Sequence, residues 1–165
     1  MARASKTAGP TTAATVALTK ADVAFTPHAY HHDDAATDFG DEAARALGID
    51  PARVFKTLLV DTDAGLAVAV VAVASMLDVK AVAAAVGAKR AAMADKAVAE
   101  RKTGYVVGGI SPFGQKTRLT TVLDDEALAH DTIFVSGGRR GFDLEIVPAD
   151  LVRLTGAVVA QIRRG

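Results

Sequence analysis

The chain has 165 residues, half of them apolar, and it contains no cysteine. This length and composition predict one folded domain with a sizeable core, and they exclude disulfides, thiolate zinc sites and a cysteine nucleophile supplied by the protein. Lysine plus arginine equal aspartate plus glutamate at 19 each, so no overall basic field indicates nucleic-acid binding, and contact with a polyanion would need a local patch.

The first twenty residues begin with basic side chains, as a signal peptide does, but threonines and Pro10 interrupt the apolar core that such a peptide needs. We interpret residues 1–10 as a flexible extension and residues 11–165 as the folded domain. Thr11 or Thr12 caps a first helix that runs to about Asp22. The most apolar later stretch, residues 65–77, is shorter than the ~20 residues of a membrane helix. We therefore expect a cytoplasmic protein with no membrane contact.

The next segments predict a short extended stretch at 25–30, a polar loop, and a helix from Asp41 to a left-handed cap at Gly48. The apolar runs VFKTLLV at 54–60 and LAVAVVAV at 66–73 predict two strands joined as a hairpin. Strand alternation puts Lys56 and Thr57 on opposite faces. Lys56 then either faces a site or extends its ammonium past an apolar wall to water.

Two further helices are predicted to start at Asp78 and Asp95 and to end at Gly87 and Gly104. Beyond them the residues favour strands at YVVGGI (105–110), RLTTVL (118–123), TIFVS (132–136), FDLEIV (142–147) and VVAQI (158–162), with helices at 124–129 and from Pro148. Hairpins mixed with helices predict an α/β, mixed α+β fold. We expect a single compact domain whose curved, mixed, largely antiparallel sheet is covered by helices, and no doubly wound Rossmann fold.

Two glycine-rich connections are candidate ligand loops. GGISPFGQKT at 108–117 approaches the phosphate-binding pattern GxxxxGK[ST], but Gln115 separates the glycine from the lysine, and Pro112 removes an amide. It is therefore either a rigid turn that brings backbone close to a ligand or an ordinary hairpin turn. SGGRRGFD at 136–143 carries an arginine pair between Ser136 and Asp143; a solvated hairpin is the favoured reading of that stretch alone.

Other candidate residues give weaker evidence of a functional site. HAYHHDD at 28–34 gathers three histidines, but their alternating directions argue against a metal site. The Tyr30 hydroxyl could contact a bound polar group, or the ring could lie half-buried at a strand end. Phe39 either packs the following helix onto the core or walls a pocket, and the sequence favours the first. The sequence contains no GxSxG motif and no recognisable Ser-His-acid catalytic triad. An enzyme built on this chain would therefore lack an evident nucleophile of its own.

Taken together, Tyr30, Phe39 and the strings FKTLLV, GYVVGGISPFGQK and VSGGRRGFDLE resemble the YbaK-type bacterial Cys-tRNA(Pro) deacylases over about residues 15–162. This family is the free-standing relative of the editing domain inserted in some prolyl-tRNA synthetases. Its members hydrolyse the ester that links a wrong amino acid to proline tRNA.

The resemblance implies that Lys56 is the catalytic lysine and that the substrate's own cysteine thiol attacks its ester carbonyl. Backbone amides near Gly108 and Gly109 would hold the carbonyl oxygen or the terminal ribose, and Asp143 would hold the substrate ammonium. The substrate-binding positions that the resemblance implies are Tyr30, Phe39, Thr57, Gly108, Gly109, Ile110, Pro112, Ser136 and Asp143.

The implied partners are misacylated tRNA(Pro) and, in a transient complex, prolyl-tRNA synthetase, with no cofactor, metal or DNA. Three alternatives stay open. The first is a deacylase of another misacylated tRNA such as Ala-tRNA(Pro), with water as the nucleophile. The second is a module that binds aminoacyl-tRNA or the synthetase without catalysis. The third is a domain that binds a small phosphorylated ligand.

Overall fold

The computed structural model describes residues 9–165, so residues 1–8 of the predicted extension lie outside the described part. The helices are α1 (Ala13–Lys20), α2 (Phe39–Leu47), α3 (Val79–Ala85), α4 (Lys96–Thr103) and α5 (Pro148–Thr155). The strands are β1 (Thr26–Ala29), β2 (Phe55–Thr62), β3 (Gly65–Ala72), β4 (Ala91–Met93), β5 (Thr120–Asp124), β6 (Ile133–Arg139), β7 (Phe142–Ile146) and β8 (Val158–Ala160). Short 3₁₀ turns occupy Pro51–Arg53 and Asp125–Ala129.

Several helix ends lie at the predicted capping residues, although α3 ends at Ala85, two residues before Gly87, and the Asp95 side chain makes no capping bond in the described part of the chain. Thr12 caps α1, and its side chain and that of Thr15 form a reciprocal capping box. The Asp78 carboxylate accepts the first free amides of α3. Gly48 and Gly104 end α2 and α4 in the left-handed conformation, at φ of 67° and 83°.

The strands form two sheets. The smaller is antiparallel, in the order β1-β7-β6, and the larger is mixed, in the order β4-β2-β3-β5-β8. Within the larger sheet the β2–β3 hairpin is antiparallel, whereas β3 pairs with β5 and β5 with β8 in parallel. An isolated parallel bridge between Val54 and Phe134 joins the sheets at the start of β2. The predicted mixed α+β fold is confirmed.

Strand alternation decides what is buried. Phe55 and Leu59 of β2 pack into the main core, whereas Leu58 and Val60 belong to a second apolar cluster on the opposite face. The predicted alternation of the lysine-bearing strand is therefore confirmed. Within residues 9–165, no helix combines the length and apolarity that crossing a bilayer requires.

The segment YVVGGI is a loop, so the predicted strand at 105–110 is wrong. The Tyr105 hydroxyl donates to the Phe113 carbonyl, and the Gly109 amide closes a turn onto the Val106 carbonyl at 2.8 Å. Gly108 has a φ of +89°, which glycine adopts without strain. These bonds hold the segment in a loop despite the strand preference of the valines.

Two further differences concern α2 and β4. Helix α2 begins at Phe39, two residues before the predicted start at Asp41, so that Phe39 occupies the first helical turn. The short strand Ala91–Met93 was not predicted, because alanine and methionine carry no strand preference, and its pairing with Val60–Thr62 of β2 is a tertiary contact.

Candidate active site

A cavity of about 470 Å³ is lined by residues of both sheets. Its wall combines the first half of β2, the start of α2, the start of α4, the loop before Ile110, and one residue each from β6 and β7. We call this space the cavity. Its polar or charged lining side chains are Tyr30, Thr37, Asp38, Asp41, Lys56, Thr57, Lys96, Ser136 and Asp143.

The smaller sheet gives one face to the core and the other to the cavity. Val135 and Leu144 point into the main core and are fully buried. Ser136 and Asp143, the next residues along each strand, therefore point the other way and line the cavity. They are direct partners in the β6–β7 register. This pairing brings together two candidate residues that lie seven positions apart in the sequence.

Asp143 is the least solvated charged group of the cavity. Its residue is 5% exposed, and burial raises the pKa of its carboxyl to about 7. No hydrogen bond or ion pair within residues 9–165 compensates for this burial, and a carboxylate in such a position gains from a cationic partner. Burial, followed by the charge of Asp143, also raises the pKa of Tyr30, so the tyrosine keeps its proton and can donate it in a hydrogen bond.

Strand β2 reaches the cavity along its edge. On one side it pairs with β3 over its full length, but on the other β4 covers only Val60–Thr62. The Val54 carbonyl bonds Val73 on the β3 side, and the Leu59 carbonyl bonds Ala94 on the β4 side. By alternation, the backbone groups of Thr57 point to the uncovered side. The buried Thr57 hydroxyl likewise has no partner within residues 9–165.

Lys56 lies beside this open stretch of β2 and lines the cavity while only partly buried. Its main-chain partner is Val71 of β3, so the backbone that carries the lysine belongs to the rigid hairpin. The Lys56 side chain therefore reaches the cavity from a backbone that is held in the β2–β3 hairpin.

The glycine loop contributes only part of its predicted set. Gly108 and Ile110 line the cavity, whereas Gly109 does not, because its amide is donated to Val106 and it packs against the backbone of Arg139. Pro112 lies outside the cavity, in the wall of a separate depression of about 230 Å³. The amides of Gly108 and Ile110 make no bond within the described chain, so they are the candidate backbone donors of this loop, and Gly108 is the one whose peptide plane is held by a further side chain.

Phe39 forms a wall of the cavity, which is the reading that the sequence disfavoured. A Cβ atom added to Gly108 would lie 2.6 Å from the Phe39 ring, so the ring is in direct contact with the loop. The guanidinium of Arg140 also lies over this ring, with its central carbon 4.7 Å from the ring centroid.

The histidines of 28–34 go to separate partners instead of one centre. His28 Nε2 lies 3.0 Å from Glu145 Oε1, and His32 Nδ1 lies 2.7 Å from Glu42 Oε1. Residues 9–165 hold no group of three side chains placed to bind a metal ion. The Glu42 carboxylate also accepts the Asp33 amide, so it ties the loop after Tyr30 to α2.

The structure thus brings together eight of the ten predicted site residues: Tyr30, Phe39, Lys56, Thr57, Gly108, Ile110, Ser136 and Asp143. Sequence reasoning missed Lys96 and Met93, which also line the cavity, and Glu100, which accepts the Val107 amide at 2.8 Å. Their short or charged segments give no signal at the sequence level, since only the fold carries them to the cavity.

Residues 33–154 match the family model of the aminoacyl-tRNA editing domain, which covers well over half of the chain. The chain belongs to the aminoacyl-tRNA editing domain family. It is 39% identical over 123 residues, 74% of its length, to 75% of a protein of Enterococcus faecalis (strain ATCC 700802 / V583) named as a candidate Cys-tRNA(Pro)/Cys-tRNA(Cys) deacylase, EbsC.

Solved structures agree on this editing-domain fold. A candidate trans-editing enzyme for prolyl-tRNA synthetase superposes with a TM-score of 0.81 at 25% identity, over 95% of this chain and all of the other. The hypothetical protein APE2540 superposes with a TM-score of 0.83 at 27% identity, over 93% of this chain and all of the other. Because the superpositions cover nearly all of this chain and all of each other chain, the backbone fold of both sheets is shared with these proteins.

Proposed function

We propose that this protein is an aminoacyl-tRNA deacylase that hydrolyses misacylated proline tRNA, chiefly Cys-tRNA(Pro). Family membership and the names of the similar proteins support an ester hydrolase that acts on charged tRNA. The observation that carries the proposal is the buried, unpaired carboxyl group of Asp143, which lines one cavity together with Lys56 and Gly108.

The three groups match the three polar parts of an aminoacyl ester. The Asp143 carboxylate would receive the α-ammonium, whose charge compensates for burial of the carboxylate. The Gly108 amide would receive the carbonyl oxygen, which gains negative charge as the ester is attacked. Lys56 would place its charge near that oxygen or near the terminal phosphate, where it stabilises negative charge in a partly dehydrated site.

Phe39 and Ile110 supply apolar surface beside these polar groups, against which a short side chain would pack. Ser136 pairs with Asp143 in the strand register, next to the proposed ammonium site. Cysteine and alanine are small enough to enter a synthetase site built for proline, and binding energy alone rejects such side chains poorly. A second hydrolytic site is the general remedy for that limit.

For Cys-tRNA(Pro), the substrate brings its own nucleophile. The cysteine thiol loses its proton and its sulfur attacks the ester carbonyl carbon of the same residue. The bond from that carbon to the ribose oxygen breaks, the ribose oxygen takes up a proton, and free tRNA leaves beside a cyclic cysteine thioester that water opens. Because sulfur and carbonyl belong to one molecule, the protein needs only to fix the reactive conformer and stabilise the charge that develops.

The proposed partner is the charged acceptor end of tRNA(Pro). The net charge of zero argues for contact with little of the tRNA body, so specificity would come in part from a transient complex with prolyl-tRNA synthetase. A substrate of this kind would place the protein in the cytoplasm, where tRNA is charged. Weak tRNA binding that falls with added salt is expected.

The decisive assay follows release of the amino acid from proline tRNA charged in turn with cysteine, alanine and proline. We expect rapid deacylation of the cysteinyl ester, slower deacylation of the alanyl ester, and prolyl ester as stable as in buffer. Equal rates for cysteine and alanine would favour water as the nucleophile. Tight binding without release of any amino acid would instead favour a binding module.

A further inference from the structure

The peptide unit between Val107 and Gly108 is fixed by a charged side chain that lies outside the cavity lining. Arg140 Nε donates to the Val107 carbonyl oxygen at 2.8 Å. The Glu100 carboxylate accepts the Val107 amide, also at 2.8 Å. Val107 is therefore bound on both sides, by α4 through Glu100 and by the β6–β7 hairpin through Arg140.

The planarity of the peptide bond transmits this contact to the neighbouring amide. The Val107 carbonyl and the Gly108 N–H belong to one trans peptide plane, since residues 9–165 contain no cis peptide bond. In a trans peptide these two groups point in opposite directions. A donor that fixes the carbonyl oxygen on one side therefore fixes the direction of the Gly108 N–H on the other.

The same guanidinium also holds the wall that lies against Gly108. Its central carbon lies 4.7 Å from the centre of the Phe39 ring, and that ring touches Gly108 so closely that a Cβ atom there would overlap it. Arg140 therefore contacts both Val107 and Phe39, and Phe39 contacts Gly108. These contacts together set the distance between the Phe39 ring and the Gly108 amide.

We propose that Arg140 is a positioning residue that orients the Gly108 amide and seats Phe39 against it. The inference rests on the proposed deacylase function only for its kinetic consequence. A cationic donor on a carbonyl oxygen also polarises the peptide, so that the N–H at the other end becomes a stronger donor. Arg140 would therefore act on the reaction through Gly108, without touching the substrate.

Arg139 supplies a matched control. It precedes Arg140, carries the same charge and is likewise exposed, but its side chain makes no hydrogen bond within residues 9–165. Loss of attraction to tRNA should affect Arg139→Gln and Arg140→Gln alike, whereas loss of positioning should affect Arg140→Gln alone. Arg140→Lys should recover part of the function, because lysine can donate to the carbonyl or lie over the ring but cannot do both with one planar group.

Two readouts test the proposal. Amide hydrogen exchange in the free protein should be at least tenfold faster at Gly109 in Arg140→Gln than in the wild type or Arg139→Gln, because the turn that protects this amide loses its anchor. Deacylation of Cys-tRNA(Pro) should show a kcat about tenfold lower in Arg140→Gln, with KM within about threefold, since an amide that acts on developing charge affects the chemical step.

Equal exchange and equal kcat in Arg140→Gln and Arg139→Gln would overturn the positioning role, as would equal losses in both variants. An inactive wild type would refute the deacylase proposal instead. The exchange measurement would then still decide whether Arg140 anchors the loop, because it needs no substrate.

Discussion

Ser136 and Asp143 face each other across the β6–β7 hairpin, and both side chains leave the sheet on the cavity side. Their neighbours Val135 and Leu144 pair in the same register on the core side. Between Ser136 and Arg139 the strand register shifts, so the regular pairing of the two strands is interrupted directly after the Ser136–Asp143 pair. One antiparallel register thus supplies both a packed core and a buried carboxylate beside a hydroxyl.

The raised pKa of Asp143 predicts pH-dependent ligand binding. Because burial raises its pKa to about 7, the carboxyl is mostly neutral below that pH and ionised above it. An inert alanyl-adenosine analogue, with an amide in place of the ester, should therefore bind more tightly as the pH rises through about 7. It contains no thiol, so cysteine ionisation does not interfere. Calorimetry between pH 5.5 and 7.5 measures this rise.

The matched variant for that measurement is Asp143→Asn. The carboxamide keeps the shape but not the charge, so affinity should be about 100-fold lower at pH 7.5 and nearly independent of pH over that range. Arg139→Gln should retain the wild-type pH dependence. A rise in affinity that persists in Asp143→Asn would assign the titration to another group.

The same carboxyl should destabilise the free protein at neutral pH. Its folded pKa is about 7 and its unfolded pKa 3.8, so the folded state binds more protons between these values, and this group's contribution to the free energy of unfolding falls as the pH rises. The loss should total at most about 4 kcal/mol. Urea unfolding at several pH values should show that the free energy of unfolding falls less steeply with pH in Asp143→Asn than in the wild type. Parallel curves for the two proteins would contradict the assigned pKa.

Replacing Lys56 by methionine should remove catalysis and leave the fold intact. The two side chains are similar in length, and Lys56 is only partly buried on a strand that pairs with β3 along its full length. Loss of a preorganised charge at developing negative charge lowers kcat/KM by about 100-fold or more. Single-turnover deacylation of Cys-tRNA(Pro) measures this, with Lys56→Arg expected to fall between. Full activity of Lys56→Met would refute the role of the lysine.

A separate prediction concerns the end of the chain. Asp124 is fully buried and accepts the amides of Ile162 and Arg163 with one oxygen, while the other bonds the Arg163 guanidinium at 2.9 Å. Asp124→Ala leaves the amides of Ile162 and Arg163 without this acceptor, while the Arg163 guanidinium keeps Asp125, and it should lower the free energy of unfolding by about 3 kcal/mol. Chemical denaturation measures the loss. Activity per folded molecule should not change, because Asp124 is not part of the cavity wall.

The sequence predicts elements better than it predicts their juxtaposition. The β2–β3 hairpin, its alternation and the helix caps at Thr12, Gly48 and Gly104 depend on local chemistry, so the residues themselves indicate them. The loop at 105–110 was predicted wrongly, because the bonds that hold it come from Glu100, Arg140 and Phe113, which lie outside the segment.

In the candidate site, too, the sequence indicates individual residues but not the contacts that the fold creates between them. Resemblance indicated Lys56, Thr57 and Asp143, and the fold brings all three to one cavity. It could not indicate that the Gly109 amide is already used in a turn while the amide of Gly108 is not, since the two residues are identical in the sequence. The sequence could not predict the uncovered edge of β2 either, because that edge depends on where the unpredicted strand β4 stops pairing.

The central claim is most directly tested by charging tRNA(Pro) with 2-aminobutyrate, which replaces the thiol of cysteine by a methyl group of similar size. The wild-type rate of deacylation is then compared with that of Cys-tRNA(Pro) under single-turnover conditions. We predict similar binding and a rate at least 100-fold lower for the aminobutyryl ester, because the internal nucleophile is gone. Equal rates for the two esters would contradict thiol-assisted deacylation.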